Sequence, residues 1–247
     1  MVLTSERVNA DVAAQILRKG NIPVFLEKPP AISKAALLDL MTDEARSSSC
    51  VYTAFNRRHV PLFSRLNLPA SRLHRVTGEL SRMNREIASF PFTCVHLIDS
   101  AQFFGQSLFA ETEITFEQNG VSSWTLEGQF ESGASCHLAF SPDREVENEF
   151  LVFETDDEKW ELRFPDIGSV SPRVQLTHEN TGIPNKEMAR SDGPYLEVMG
   201  YAPCIRDFLQ EVRDGKLPHS IHRLNSCRRT IEILEAMQMS RDRVLAV

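Results

Sequence analysis

Glycine is scarce in this chain and never clusters. The 247 residues include only 11 glycines, and no two are spaced as G-x-G. A glycine-rich loop of the kind that cradles a nucleotide phosphate is therefore missing. Long apolar runs are missing too, because charges interrupt every stretch before the ~20 residues that a membrane span needs, so no membrane association is expected. Positive charge is in deficit: 27 Lys and Arg face 34 Asp and Glu, for a net charge of −7. That balance argues against nucleic acid as the main partner. The five cysteines (Cys50, Cys94, Cys136, Cys204 and Cys227) are odd in number and form no C-x-x-C, which suits reduced thiols rather than disulfides or zinc. Met1 to Arg7 lacks the basic-then-apolar order of a signal peptide, so a cytoplasmic location is expected. No metal site is expected either. His219 and His222 lie three apart without the further ligand that would complete one.

The residues that are present describe an ordinary globular protein, 42% hydrophobic and 25% charged. The first 60 residues alternate strand and helix patterns. Val2-Leu3-Thr4 is a short apolar stub, after which Thr4 or Ser5 can cap a helix whose stripe is Val8, Val12, Ile16 and Leu17. Val24-Phe25-Leu26 reads as a strand. Pro29-Pro30 breaks the chain, Ser33 caps a second helix bearing Leu37 and Leu40, and Val51 to Phe55 is a further β-rich run. This order is the signature of parallel βαβ units. From residue 61 the pattern changes. Leu73 to Met83 alternates like a strand, and Cys94 to Phe104 reads as a helix. Five strand-like runs follow between 113 and 164, separated by turns such as Asn119-Gly120 and Ser132-Gly133, which predicts a meandering, mostly antiparallel sheet. Residues 165–194 carry four prolines and read as an irregular excursion. Ile205, Phe208, Leu209 and Val212 then form one helical stripe, and Ile231, Leu234 and Met237 form another. The expectation is an α/β segment over 1–60 followed by an α+β domain over 61–247.

Four strings in order resemble the Gfo/Idh/MocA family of NAD(P)-dependent sugar and polyol oxidoreductases. They are Lys19 to Pro29 with its Glu27-Lys28-Pro29, Ala54 to Pro61 with Asn56-Arg57-Arg58, His96-Leu97-Ile98-Asp99 with Phe104-Gly105, and the closing stretch from Gly200-Tyr201 through Arg228 to Ala236. The resemblance covers nearly the whole chain. It implies a half Rossmann βαβαβ segment leading into a substrate-binding domain whose large, mostly antiparallel sheet is flanked by helices. Val2-Leu3-Thr4 stands where such chains are already on their fourth strand, and the glycine fingerprint that holds the pyrophosphate has no counterpart. A chain of this kind is not expected to hold a dinucleotide tightly unaided. A second copy, a separate polypeptide supplying the other Rossmann half, or a rearranged N-terminus is expected to cover the edge strand. The resemblance also implies a homodimer or larger through the C-terminal sheet.

Lys28 sits at the C-terminal end of an apolar strand, where open α/β sheets bind ligands. In the resembled family this lysine orients or polarises the substrate hydroxyl, and the proline after it commonly carries a cis bond. Glu27 and Pro29 beside it are residual cofactor-side positions. His96 and Asp99 share one helix face; an imidazole near neutral pKa can take a hydroxyl proton, and a carboxylate can hold sugar hydroxyls. Many members carry an aspartate four residues before this histidine, where Phe92 stands here. Asn56 and Arg57 are expected to line the same crevice. Tyr195 can reach substrate from the loop before the closing helices, although core packing explains it better. Three functions are compatible with this set. The first is an oxidoreductase on a sugar- or polyol-like substrate with NAD or NADP, and with Lys28 and His96 handling protons. The second is a cofactor-independent epimerase- or eliminase-type acid/base enzyme. The third is a carbohydrate-binding or regulatory subunit without catalysis.

Overall fold

The computed structural model describes residues 5–20, 22–66, 68–142, 145–165, 172–180 and 186–245. The strand expected at Val2–Thr4, and Thr4 as a cap, lie outside them. Helix α1 (Asn9–Leu17) leads to strand β1 (Val24–Glu27), helix α2 (Lys34–Arg46) and strand β2 (Val51–Ala54), and the two strands pair in parallel. Ser33 caps α2 as anticipated, its hydroxyl accepting from the Ala36 amide at 3.2 Å. In α1 the buried residues are Asn9, Ala13, Ala14 and Leu17; of the expected stripe Leu17 is buried, Val12 and Ile16 pack partly buried against the same core, and Val8 stays exposed. Small alanines at 13 and 14 let that helix lie close to β1, which displaces the bulkier side chains to its flank.

The second sheet has eight strands: β3 (Arg75–Ser81), β4 (Phe109–Asn119), β5 (Val121–Phe130), β6 (Ser135–Ser141), β7 (Asn148–Glu154), β8 (Glu158–Arg163), β9 (Arg173–Asn180) and β10 (Lys186–Asp192). Their spatial order is β10-β9-β8-β7-β3-β6-β5-β4. All pairs are antiparallel except β3 with β6, so the sheet is a meander with β3 inserted at its centre. Residues 165–194 are thus not simply irregular. Val174 and Leu176 alternate inward, and β9 and β10 pair antiparallel at the sheet edge. Pro172 and Pro194 lie just outside these strands, where they cost no ladder hydrogen bond.

Helix α3 (Pro91–Phe104) joins the two sheets, and a short helix α4 (Tyr195–Val198), helix α5 (Tyr201–Arg213) and helix α6 (Arg228–Leu245) close the chain. The inner face of the large sheet, including Val76, Leu80, Trp124, Leu126, Leu138, Leu151 and Phe153, packs in one core with Leu97, Ile98 and Ala101 of α3 and Ile233 and Met237 of α6. The Trp124 indole donates to the Met237 carbonyl at 3.0 Å, giving the buried ring its polar partner. A second core gathers α1, β1, α2 and β2 with Phe92 and Val95 of α3 and Ile231 and Leu234 of α6. Residues from α3 and α6 enter both cores, and α3 thereby carries side chains to the C-terminal ends of β1 and β2. On α5 the inward residues are Cys204, Ile205 and Phe208, while Leu209 and Val212 are exposed. Among the described residues no helix is long and apolar enough to cross a membrane.

Candidate active site

Strand β1 is buried through Val24, Phe25 and Leu26, and this delivers Glu27, Lys28 and Pro29 to a fixed place at its end. The Lys28–Pro29 bond is cis. Asn9 of α1 ties this turn down, its amide donating to the Glu27 and Pro29 carbonyls at 3.2 and 3.1 Å. Lys28 is half-buried, and its ammonium donates to the Phe92 carbonyl at 3.3 Å. Beside it lies a polar cavity of about 190 Å³. Glu6, Lys28 and Pro29 line one side; Arg85, Ser89, Phe90, Phe92 and Thr93 line the other. Burial lowers the Lys28 pKa to about 8, with Glu27 opposing that shift and Arg57 adding to it. At pH 7 the group is mostly ammonium and within reach of deprotonation. Burial pushes the neighbouring Glu27 carboxyl up, and Lys28 opposes the rise.

His96 is buried on α3, and its Nδ1 has no hydrogen-bond partner among the described residues. Burial holds its pKa well below the usual imidazole range, and the positive charges of Lys28, Arg57 and Arg82 depress it further. A neutral imidazole of this kind can donate or accept a hydrogen bond, but it stores a proton poorly near pH 7. His96 is close enough for the Lys28 charge to depress its pKa, but it is not among the residues lining the Lys28 cavity.

The cations behind His96 belong to a buried cluster centred on Glu149. Arg57 grips that carboxylate with Nε and Nη2 at 2.9 and 3.0 Å, and Arg82 binds its second oxygen. The Arg57 guanidinium also lies 4.8 Å from the centre of the Phe164 ring. Burial alone would raise the Glu149 pKa, but Arg57 and Arg82 overcome it and hold the carboxylate below its usual range. Arg57 is thus fixed against an acid, and Asn56, equally buried, donates to the Met199 carbonyl at 2.7 Å. Arg82 and Glu149 escaped the sequence reading. The signal was available, because Arg82 continues the inward phase Val76-Gly78-Leu80 and Glu149 shares the inward phase of Leu151 and Phe153. Tyr195 is half-buried and stacks on Tyr201 with ring centroids 6.2 Å apart.

Asp99 is turned elsewhere. It takes a bidentate bond from Arg58, at 2.8 and 2.5 Å, and Arg58 also donates to the Ile221 carbonyl and the Ser226 hydroxyl. Asp99 lines a larger cleft of about 920 Å³ at the C-terminal half of α3, together with Phe63, Phe103, Phe104 and Leu108. Lys28 and His96 are not part of that cleft. The larger cleft is lined by His59, whose Nδ1 lies 2.8 Å from the Asp207 carboxylate and whose pKa burial lowers. The smaller cavity holds Lys28, an amine of pKa about 8 at the C-terminal end of a parallel strand, and is the better candidate site.

The two connections leaving the parallel strands, 28–33 and 55–60, contain no glycine. They offer no cradle for a pyrophosphate, and the cavity at Lys28 has room for a single ring rather than a dinucleotide. These residues do not by themselves fit a whole NAD(P). What they can do is orient a hydroxyl and move its proton. No group of three or more potential metal ligands exists among the described residues.

No protein-family model matches the sequence, and no curated protein matches it. Solved structures do match. A Gfo/Idh/MocA family oxidoreductase from Vibrio cholerae is 22% identical with a TM-score of 0.74, over 97% of this chain and 76% of that one. The UDP-N-acetylglucosamine 3-dehydrogenase GnnA from Acidithiobacillus ferrooxidans is 12% identical with a TM-score of 0.76, over 96% and 76%. The 3-ketoreductase KijD10 from Actinomadura kijaniata, solved with TDP-benzene and NADP, is 16% identical with a TM-score of 0.71, over 95% and 75%. The chain has the fold of the Gfo/Idh/MocA family oxidoreductases, the family that its Glu27-Lys28-Pro29, Asn56-Arg57-Arg58 and His96–Asp99 strings resemble.

Proposed function

We propose that this chain is a Gfo/Idh/MocA-type oxidoreductase acting on a sugar- or polyol-like substrate with NAD(P), and that Lys28 is its proton-handling group. The observation that carries the reading is Lys28 itself, an amine with a pKa of about 8 at a strand end beside a polar cavity of about 190 Å³. As an amine, Lys28 takes the proton of a substrate hydroxyl; as an ammonium, it returns that proton to a carbonyl oxygen. His96, neutral and with Nδ1 unpartnered among the described residues, stands close enough to feel the Lys28 charge without lining the cavity. A nicotinamide, were it held there with the help of a second chain, would supply the hydride chemistry, while Lys28 moves the proton. The fold is shared with a nucleotide-sugar dehydrogenase and with a ketoreductase solved with NADP, which supports both the substrate class and the cofactor.

Titration of the purified chain with NADH and NADPH tests the redox half of this reading. With no glycine in the two strand-end connections, binding weaker than micromolar is the expected result for the chain alone, and no binding at millimolar cofactor overturns the redox role. Self-association through the open face of the eight-stranded sheet belongs to the same proposal. Light scattering checks it, and a stable monomer at micromolar concentration counts against it.

A further inference from the structure

The residues around the Lys28 cavity carry more positive charge than a neutral sugar needs. Two of the side chains lining it are cationic, Lys28 and Arg85, and one is acidic, Glu6. Behind it the Arg57–Glu149–Arg82 cluster adds two guanidiniums for one carboxylate. With the Glu27 carboxylate beside Lys28 counted, four cations (Lys28, Arg85, Arg57, Arg82) meet three carboxylates (Glu6, Glu27, Glu149) here, in a chain whose overall charge is −7. Ser89 and Thr93 bring hydroxyls to the same wall, in and just before the first turn of α3. Arg85 is delivered by a tight bend: Asn84 adopts φ 51°, a left-handed conformation that asparagine tolerates, and the Arg85 amide is anchored on the Pro142 carbonyl at 2.9 Å. The Arg85 guanidinium is exposed and forms no ion pair among the described residues. Among the described residues Lys28 uses one of its three N–H groups, on Phe92.

We propose that the Lys28 cavity takes an anionic monosaccharide, a sugar acid or sugar phosphate, with Arg85 and Lys28 gripping its carboxylate or phosphate from two sides. The inference rests on the reading of this cavity as the substrate site and narrows its substrate class. A volume of about 190 Å³ matches one sugar ring and is below the ~300–1,000 Å³ of sites that enclose larger ligands. A guanidinium and an ammonium facing one anion make charge-assisted bonds roughly twice as strong as neutral ones, which is where discrimination against an uncharged sugar arises. Arg85 is then a specificity-determining residue that neither the sheet nor the helix core requires.

Calorimetric titration with D-glucuronate, D-glucose 6-phosphate and D-glucose tests the proposal on wild type, Arg85→Gln and Lys28→Gln, each first shown by thermal melting to be folded. Wild type is expected to bind one of the two anions about ten-fold or more tightly than glucose, and the two anion arms tell carboxylate from phosphate. Arg85→Gln is expected to cut that ratio about three-fold or more, with Lys28 holding the remainder. A ratio near one in wild type, with Lys28→Gln weakening all three ligands, overturns the anion inference and leaves the substrate-site reading standing. A preference undiminished in Arg85→Gln also overturns it, because Arg85 then takes no part in holding the anion. If none of the three binds at 10 mM, or if Lys28→Gln changes none of them, the substrate-site reading itself fails and the inference falls with it.

Discussion

The ammonium of Lys28 and the carbonyl of Phe92 are joined by a 3.3 Å hydrogen bond that ties the end of β1 to the first turn of α3. The bond places the Lys28 amine, with its pKa of about 8, against the helix that carries His96. It also explains how Phe92 can stand where the resembled family often has an aspartate. At this position the backbone, not the side chain, meets the lysine, and the ring itself joins the core of the β1–β2 unit.

The pH dependence of turnover follows from which of the two groups titrates. Lys28 ionises at about 8, whereas burial and three neighbouring cations keep His96 neutral through the physiological range. Substrate oxidation needs the amine, so kcat/KM is expected to rise with pH through about 8. Reduction needs the ammonium, so it is expected to fall through the same value. Lys28→Arg, which stays charged, should remove both inflections. An inflection near 6.5 that disappears in His96→Gln would assign the proton to the histidine instead.

The same amine carries a stability cost with a definite sign. Its pKa is about 8 in the folded chain and ~10.4 when unfolded, so between these values the unfolded state binds more protons and stability rises with pH. Below pH 8 both states are protonated and the cost of holding the ammonium in the fold is fully present. Lys28→Met is therefore expected to melt at a higher temperature than wild type at pH 7 while losing turnover, and its advantage should vanish by about pH 10.5. Thermal melts at the two pH values check this, and a variant less stable than wild type at pH 7 contradicts it.

How far this could be read from the sequence depends on the kind of signal. The parallel strands and the position of Lys28 at the end of one of them were legible because apolar runs followed by Glu-Lys-Pro are local patterns. Strands β9 and β10 were hidden by prolines that bound them instead of breaking them. Asp99 was placed on the face of His96 by spacing, but tertiary structure gave it Arg58, since α3 spans two cavities and its two halves face different neighbours. Burial of Arg82 and Glu149 was legible from strand phase; their choice of partners was not, because β3 and β7 meet only through non-local pairing. Arg85 depends on one left-handed residue in a loop, which no periodicity announces.

The Glu149 cluster should respond asymmetrically to substitution. Arg57, Arg82 and Glu149 are all at most 4% exposed, so Glu149→Gln leaves two buried guanidiniums without their carboxylate. A loss of ~3–5 kcal/mol in denaturant unfolding is expected. Replacing all three by apolar residues of similar size should recover most of that loss, since the desolvation penalty goes with the charges. If Glu149→Gln proves as stable as wild type, the cluster does not hold β3, β7 and the end of β2 together.

Gly200 offers the most local test of how the site is positioned. It precedes α5 at φ +81°, in the left-handed region, and a Cβ there would run into the Asn56 carbonyl oxygen, with the His59 carbonyl carbon and the Val60 nitrogen at 2.9 Å. All three neighbours are backbone atoms of the turn after β2, so none can rotate away as a side chain would. The Asn56 amide donates to the carbonyl of Met199, the residue just before Gly200, at 2.7 Å, locking the two segments face to face. Gly200→Ala is thus expected to cost ~2 kcal/mol or more, combining the left-handed penalty with the backbone clash. The turn it would push carries Arg57, so the displacement is passed to Glu149 and Arg82, and through their charges to Lys28 and His96. The variant should therefore show a lower melting temperature together with a shifted Lys28 ionisation, read from the pH at which Lys28 becomes reactive to an acylating reagent. A melting temperature that drops with no change in that pH would mean that the turn after β2 supports the fold without setting the electrostatics of the site.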